Sequence, residues 1–231
     1  GTKVLFVAVW PASPASPGSP GRTETYRAPT GPAAGPEDVE RELRGFLDRI
    51  GFHPSLAGVA VPGLVGSAGQ VVACDVLPRL VGWRAAERLA ELGGGAPAWA
   101  VNDAEAGLVE ETWDLPGVTA ALVLSGTGIG AALALDGLLV RGADGWAGEL
   151  GSIPILVGDR AATLDSVASG ASLTARLGID GETLARRAAA GDPEVQRAVR
   201  EAGAAFGLGL AALLLGGAAW AVRLGWFSAP Y

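Results

Sequence analysis

The sequence is short of cysteine and histidine, with one of each, Cys74 and His53. A single cysteine excludes an internal disulfide, and one histidine beside it leaves no Cys/His cluster from which a structural zinc site is built. Basic runs are missing as well: 17 Lys and Arg stand against 24 Asp and Glu, for a formal charge of -7 and a pI near 4.8. An acidic chain with no basic stripe and no N-terminal helix-turn-helix is not expected to bind nucleic acid, whose phosphates attract cationic surfaces. One uncharged run, Ala202 to Val222, is 21 residues long with five glycines and eight alanines. The length suits a membrane span, but the composition is only mildly apolar, and the stretch reads as a buried helix leading into a buried strand. The opening GTKVLFVAVW has one lysine, a short apolar run and then proline, without a small-residue cleavage pattern. It reads as a strand and not as a signal peptide, so the expectation is a cytoplasmic protein that neither enters nor crosses a membrane.

What is present suits a folded core. The chain has 231 residues, 49% of them apolar, enough for one large domain or two small ones. Val4 to Trp10 reads as a strand, followed by PASPASPGSPG, whose prolines forbid a helix and suggest a mobile loop. Arg22 to Arg27 alternates as a returning strand. PEDVERELRGFLDRI carries apolar residues at 39, 43, 46, 47 and 50, a helical stripe that Pro36 and the acids after it would start. LAGVAVPG reads as a buried strand, GWRAAERLAELGGG as a helix closed by glycines, and APAWAV as another strand. Further helices are expected near 171 to 178, 181 to 190 and 193 to 215, the last capped by Asp192 with Pro193 at its first position. Strands and helices alternate, so the class is α/β. His53, next to Pro54, reads as a surface loop residue, and the seven tryptophans have no periodicity that would make a stacking platform.

Two stretches carry candidate chemistry. VLSGTGIGAALALDG places Gly126, Thr127 and Gly128 between two apolar runs, a turn with almost no side-chain bulk. It is either a tight hairpin or a backbone cradle that a large ligand can approach closely. In AWAVNDAEAG, Asn102 and Asp103 fall where a strand ends and a helix starts. Either residue could simply cap that helix; alternatively, Asp103 stands at the carboxyl edge of a sheet, where α/β folds bind ligands. A phosphate cradle and a carboxylate base are together what phosphoryl transfer to a hydroxyl requires.

VPGLV at 61 to 65, GW at 82 and 83, NDAEAG at 102 to 107, SGTGIGAALALDG at 125 to 137, RGADGWAGELGS at 141 to 152 and ASGASL at 168 to 173 occur in the order and spacing of one family. Over nearly the whole chain the sequence resembles the ROK family of bacterial sugar kinases, glucokinases among them, and sugar-responsive repressors. The resemblance implies a two-lobed α/β fold of the actin-like and ribonuclease H-like ATPase kind, truncated at both ends. Residues 1–101 would form the N-terminal α/β lobe, and 102–231 the C-terminal α/β lobe with the sugar-contact loop and the nucleotide-binding helices.

It also implies roles by position. Asp103 would be the general base that takes the proton of the sugar hydroxyl. Gly63, Asn102, Glu149 and Asp165 would contact the sugar. Gly126, Thr127 and Gly128 resemble the family's second phosphate loop, and Gly1, Thr2 and Lys3 the tail of its first. ATP and Mg2+ are the implied cofactors, a sugar and a nucleotide the implied small-molecule partners, and a homodimer the implied assembly.

Departures from the family pattern carry information too. The first phosphate motif, Asp-x-Gly-Gly-Thr-Lys, is met here from its second glycine onward. Ser152 stands in place of a zinc-binding histidine, and VGDRAATLD in place of a cysteine cluster, so no zinc is expected and no metal ligand is assigned. Asp165 replaces a glutamate, one methylene shorter, and Arg79 replaces an asparagine, which changes the expected sugar pocket. VRLGWFSAPY resembles a strand and turn with Trp226 in place of glycine, and Trp146 is the one tryptophan inside the sugar-contact loop. The expected activity is ATP-dependent phosphorylation of a hexose; the alternative is a degenerate, non-catalytic ROK protein that binds a sugar or sugar phosphate.

Overall fold

A computed structural model describes residues 3–10, 21–31, 33–142 and 144–223, with side chains given through residue 214. The PASPASPGSPG loop, apart from its last glycine, and the segment after Arg223 lie outside the described residues, as do Gly1 and Thr2. The chain divides into two compact units, one within Gly1–Trp113 plus Arg141–Trp146, the other within Asp114–Val140 plus Ala147–Tyr231.

In the first unit, β1 (Lys3–Trp10) pairs antiparallel with β2 (Arg22–Pro29), from Lys3 opposite Pro29 to Trp10 opposite Arg22. Alternation along β1 turns Phe6 and Ala8 inward, where α1 (Pro36–Ile50) presents Val39 and Phe46. The rings of Phe6, Tyr26 and Phe46 stack with centroids 5.9 to 6.0 Å apart. Pro36 occupies the first turn of α1, Asp38 accepts the Gly35 N–H at 3.0 Å, and Gly51 ends the helix at φ 60°.

The chain continues through β3 (Ala57–Val61), the short β4 (Leu64–Val65) and β5 (Val71–Ala73), and α2 (Ala85–Leu92). β6 (Ala98–Asn102) and α3 (Asp103–Glu111) follow. β3 and β6 run parallel, the arrangement that needs a crossover, and α2 supplies it. Val61 lies opposite Asn102, so the two strands end side by side. The sequence predicts a buried β3, but Gly58 and Ala60 are exposed. The face of the ribbon that carries them, with Trp99, lies open, and among the described residues β1 pairs only with β2 and β3 only with β6. A cavity of about 460 Å³, walled by Leu5, Phe6, Leu43, Val59 and Leu89, lies between these unpaired edges. α3 continues directly from β6 within this unit and buries Ala104 and Leu108.

In the second unit, β7 (Ala120–Ser125) and β8 (Ile129–Leu135) form an antiparallel hairpin, and β9 (Leu138–Leu139) adds a short third strand after the turn at Asp136 and Gly137, both at positive φ. A 3-10 turn (Leu150–Ser152) leads to a hairpin of β10 (Pro154–Val157) and β11 (Arg160–Thr163). α4 (Leu164–Ala168), α5 (Gly170–Leu177), α6 (Gly181–Ala189) and α7 (Pro193–Arg223) complete the element order. Asp192 caps α7 as expected, accepting the N–H groups of Glu194 and Val195 at 3.0 and 3.3 Å. The expected helix-to-strand change within Ala202 to Val222 does not occur: α7 runs on to Arg223 as one helix. Small residues let α7 lie close to its neighbours, since Ala202, Ala205 and Gly209 form a low-bulk face against α4. A methyl on Gly209 would sit 2.5 Å from Leu164 Cδ2. Among the described residues no helix is long and apolar enough to cross a membrane.

Candidate functional site

The parallel ends of β3 and β6 bring Gly63, Asn102 and Asp103 together. Asn102 is the N-cap of α3: its Oδ1 accepts the Ala104 N–H at 2.7 Å and the Glu105 N–H at 3.4 Å. Its Nδ2 donates to Gly63 O at 2.9 Å, which leaves one Nδ2 hydrogen for a ligand. Gly63 is also required by the close approach of the next strand, because a methyl there would lie 2.3 Å from Ala73 O. Behind the turn, the buried Cys74 donates its S–H to Pro62 O at 3.0 Å. Burial pushes the Cys74 thiol pKa up.

Asp103 opens α3 but does not hold the cap. It is exposed, and its carboxylate is bonded only locally, with Oδ1 accepting the adjacent Ala104 N–H at 2.9 Å. Crowding by surrounding protein weakens hydration of the carboxylate and raises its pKa, against the pull of the Ala104 and Asp103 amides. A carboxylate that is accessible, only locally bonded and raised in pKa can accept a proton from a bound hydroxyl.

Two residues that the sequence does not single out complete this cluster. Glu105 returns Oε2 to the Asn102 N–H at 3.1 Å, closing a capping box, and forms a two-pronged pair with Arg141 at 2.9 Å on each arm. The Asn-x-x-Glu spacing at 102 to 105 could have revealed the box; nothing local in sequence announces Arg141. Arg141 begins the short segment that rejoins the first unit, where Gly145 is pressed against Val65 O and Trp146 is exposed.

The glycine turn belongs to the second unit, and its carbonyls are occupied. Gly170 N donates to Gly126 O at 2.8 Å and Ala171 N to Thr127 O at 3.1 Å, so the start of α5 binds the turn from below. The Gly126 N–H is used by Gly128 O at 2.9 Å. Among the described residues the N–H groups of Thr127 and Gly128 have no acceptor, and a Cβ at Gly126 would meet open space. Two amides without an acceptor beside an unobstructed glycine are donors that could receive a phosphate.

Glu149 precedes the 3-10 turn and lies half-buried. Its loop is fastened to β8 by the bond from Ala131 N to Gly148 O, 2.9 Å. Asp165 lies on α4 and reaches the glycine turn, with Oδ1 accepting the Ile129 N–H at 2.7 Å. Thus Glu149, Asp165 and the turn are neighbours along β8, and Asn102, Asp103 and Gly63 gather in the other unit. Lys3 is exposed at the start of β1, while its companions Gly1 and Thr2 lie outside the described residues. Arg79 points to α1, donating to Ala33 O at 2.7 Å and pairing with Glu37. Among the described residues no three His, Cys, Asp or Glu side chains gather to hold a metal ion.

The ROK family model matches residues 34–215, a span that contains both clusters. The chain belongs to the ROK family. Among solved structures, this ROK protein resembles a ROK family protein from Streptococcus pneumoniae in complex with sucrose, at 25% identity and a TM-score of 0.72 over 92% of this chain and 73% of that one. It resembles a ROK hexokinase from Thermus thermophilus at 25% identity and a TM-score of 0.64, over 92% and 78% of the two chains. A ROK family glucokinase from Streptomyces griseus, in complex with glucose and AMPPNP, shares the fold at 23% identity and a TM-score of 0.65, over 83% and 72%. No curated protein sequence matches it. This ROK protein therefore has the mixed α/β, actin-like ATPase fold of ROK sugar kinases.

Proposed function

We propose that this ROK protein is a sugar kinase that transfers the γ-phosphoryl group of ATP to a hexose hydroxyl, with Asp103 as the general base. The observation that carries this reading is the division of labour at the start of α3. Asn102 takes the capping work, so Asp103 remains accessible, and desolvation by the surrounding protein raises its pKa. Its carboxylate takes the hydroxyl proton as the sugar oxygen forms its bond to the γ-phosphorus, and the bond from that phosphorus to the β-phosphate oxygen breaks to release ADP. Asn102, through its remaining Nδ2 hydrogen, and Glu149 orient the sugar. The Thr127 and Gly128 amides hold the nucleotide phosphates.

Magnesium bound to those phosphates would neutralise their charge, and it needs few protein ligands because the phosphates and water supply most of its coordination. The unbonded amides of the turn fit the phosphates; no acidic cluster among the described residues forms a separate metal cage.

The test is ADP release measured in a coupled assay across a panel of hexoses, with Asp103→Asn as control. Sugar-dependent release is expected, falling by roughly 10²- to 10⁴-fold on substitution, the usual contribution of a positioned general base. Absence of sugar-dependent turnover above that control would overturn the kinase reading. Saturable hexose binding in the same preparation would then favour a sugar-binding ROK protein that does not transfer phosphate.

A further inference from the structure

The second unit contains a carboxylate whose geometry departs from the sugar-contact role its position implies. Asp165 is wedged between two loops. On one side, Oδ1 accepts the Ile129 N–H at 2.7 Å, and a methyl on Gly128 would stand 3.4 Å from the same oxygen. On the other side lies Gly151, where a methyl would meet Ile129 O at 2.4 Å and both Cβ and Oδ1 of Asp165 at 3.3 Å. The closeness on the second side requires glycine at 151, whereas at 128 a methyl would stand at ordinary contact distance.

Backbone accounting explains what the wedge does. Ile129 and Ala131 are two apart on β8 and present their N–H groups along one edge. The Ala131 N–H is taken by Gly148 O, and the Ile129 N–H has the Asp165 carboxylate as its partner. Ile129 is the residue at which the glycine turn re-enters the strand, opposite Ser125. Holding it fixes one end of the turn, while the Gly170 and Ala171 amides fix the carbonyls of Gly126 and Thr127. With carbonyls drawn towards α5 and the strand end tied to α4, the Thr127 and Gly128 amides are left facing away from the protein's own acceptors. Thr163 and Ser169, which cap α4 and α5 through side-chain oxygens, keep both helices in place for this purpose.

We infer that Asp165 is a positioning residue for the phosphate-binding turn, and that it acts on the nucleotide side and not by touching the sugar. The identity of the turn's ligand rests on the kinase reading above; the clamp on Ile129 stands independently of it. An aspartate suits the clamp because its short side chain holds a carboxylate oxygen at one fixed distance from α4. Asparagine keeps an acceptor oxygen at the same reach, whereas alanine has none.

Hydrogen exchange of the unmodified chain gives the first test: the Ile129 amide is expected to exchange at least about tenfold more slowly than those of Thr127 and Gly128, the effect of one charge-assisted hydrogen bond. Equal rates at the three positions would overturn the inference without any substitution. In Asp165→Ala, Ile129 protection is expected to fall about tenfold and the ADP dissociation constant to rise about tenfold, with hexose affinity unchanged within about twofold. Asp165→Asn is expected to restore all three values. Loss of hexose affinity in both substituted chains, with Ile129 protection intact, would assign Asp165 to the sugar and overturn the clamp. If the unmodified chain binds no nucleotide, the kinase reading fails, and the clamp is judged on Ile129 exchange alone.

Discussion

Arg141 and Glu105 form a two-pronged ion pair across 36 residues of sequence, with Nε to Oε1 and Nη2 to Oε2 both at 2.9 Å. The pair is mostly sheltered, with side-chain exposures of 33% and 15%, and Glu105 also accepts the Asn102 N–H. It therefore ties the segment that rejoins the first unit to the helix start that carries Asp103.

Breaking this pair is expected to cost more than an exposed ion pair and less than a fully buried one. Arg141→Ala should lower stability by about 1–2 kcal/mol, since Glu105 is left partly desolvated without its counter-ion. A double-substitution cycle with Glu105→Gln, followed by urea unfolding, measures the coupling directly. A coupling near zero would mean that the two side chains meet without stabilising each other.

Asn102 has two separable tasks, and substitutions can divide them. Asn102→Ala removes both the cap and the bond to Gly63 O, and is expected to destabilise by at least about 1 kcal/mol. Asn102→Ser keeps a cap acceptor but cannot reach Gly63, so its unfolding midpoint should fall between those of the alanine variant and the unmodified chain. Equal midpoints for the two variants would show that the cap contributes nothing.

The periodic elements were legible in the sequence because one side chain pattern sets them. α1, α2 and α6 each follow a stripe bounded by Pro, Gly or Asp, and the Asn102-Asp103 junction is visible as an apolar strand running into acidic residues. What could not be read depended on distant partners. The exposure of β3 follows from which strands pair with it, and alternation of small residues in LAGVAVPG does not encode that. The seat of α7 on α4 depends on Leu164 filling the space beside Gly209, far away in sequence. α4 is five residues long, too short for a helical period to register. The same limit applied to the site: residue types and order pointed to Asp103 and the glycine turn, but not to the contact of Asp165 with Ile129, which exists only once α4 has folded against β8.

Two glycines should respond in opposite directions. Gly58 lies inside β3 at ordinary φ, and an added methyl would find nothing within 4 Å, so Gly58→Val is expected to stabilise by about 0.5–1 kcal/mol through reduced freedom of the unfolded chain and better strand propensity. Gly148 has φ 94°, and a methyl there would lie 2.2 Å from Ala131 O. Gly148→Ala should destabilise by more than about 2 kcal/mol and loosen the Glu149 loop. Thermal melts of both variants check the contrast; a stabilised Gly148→Ala would show that the loop does not hold its left-handed turn.

The raised pKa of Asp103 gives stability and activity opposite dependences on pH. Below the ordinary aspartate value of 3.8 the group is protonated in both folded and unfolded chains, and its contribution to stability is fully present. As pH rises, the unfolded chain releases this proton first, so the contribution is lost progressively until the folded pKa is passed. Asp103→Asn, which cannot ionise, should therefore gain stability relative to the unmodified chain between about pH 3 and about pH 7, with little difference at the acid end. Catalysis needs the ionised base, so sugar-dependent ADP release should fall on the acid side at a higher pH than an ordinary aspartate would impose. Melting temperatures of the two chains across that range, set beside the pH-rate profile, test both signs; a difference in stability that shrinks as pH rises would mean that Asp103 is held in its charged form by the fold.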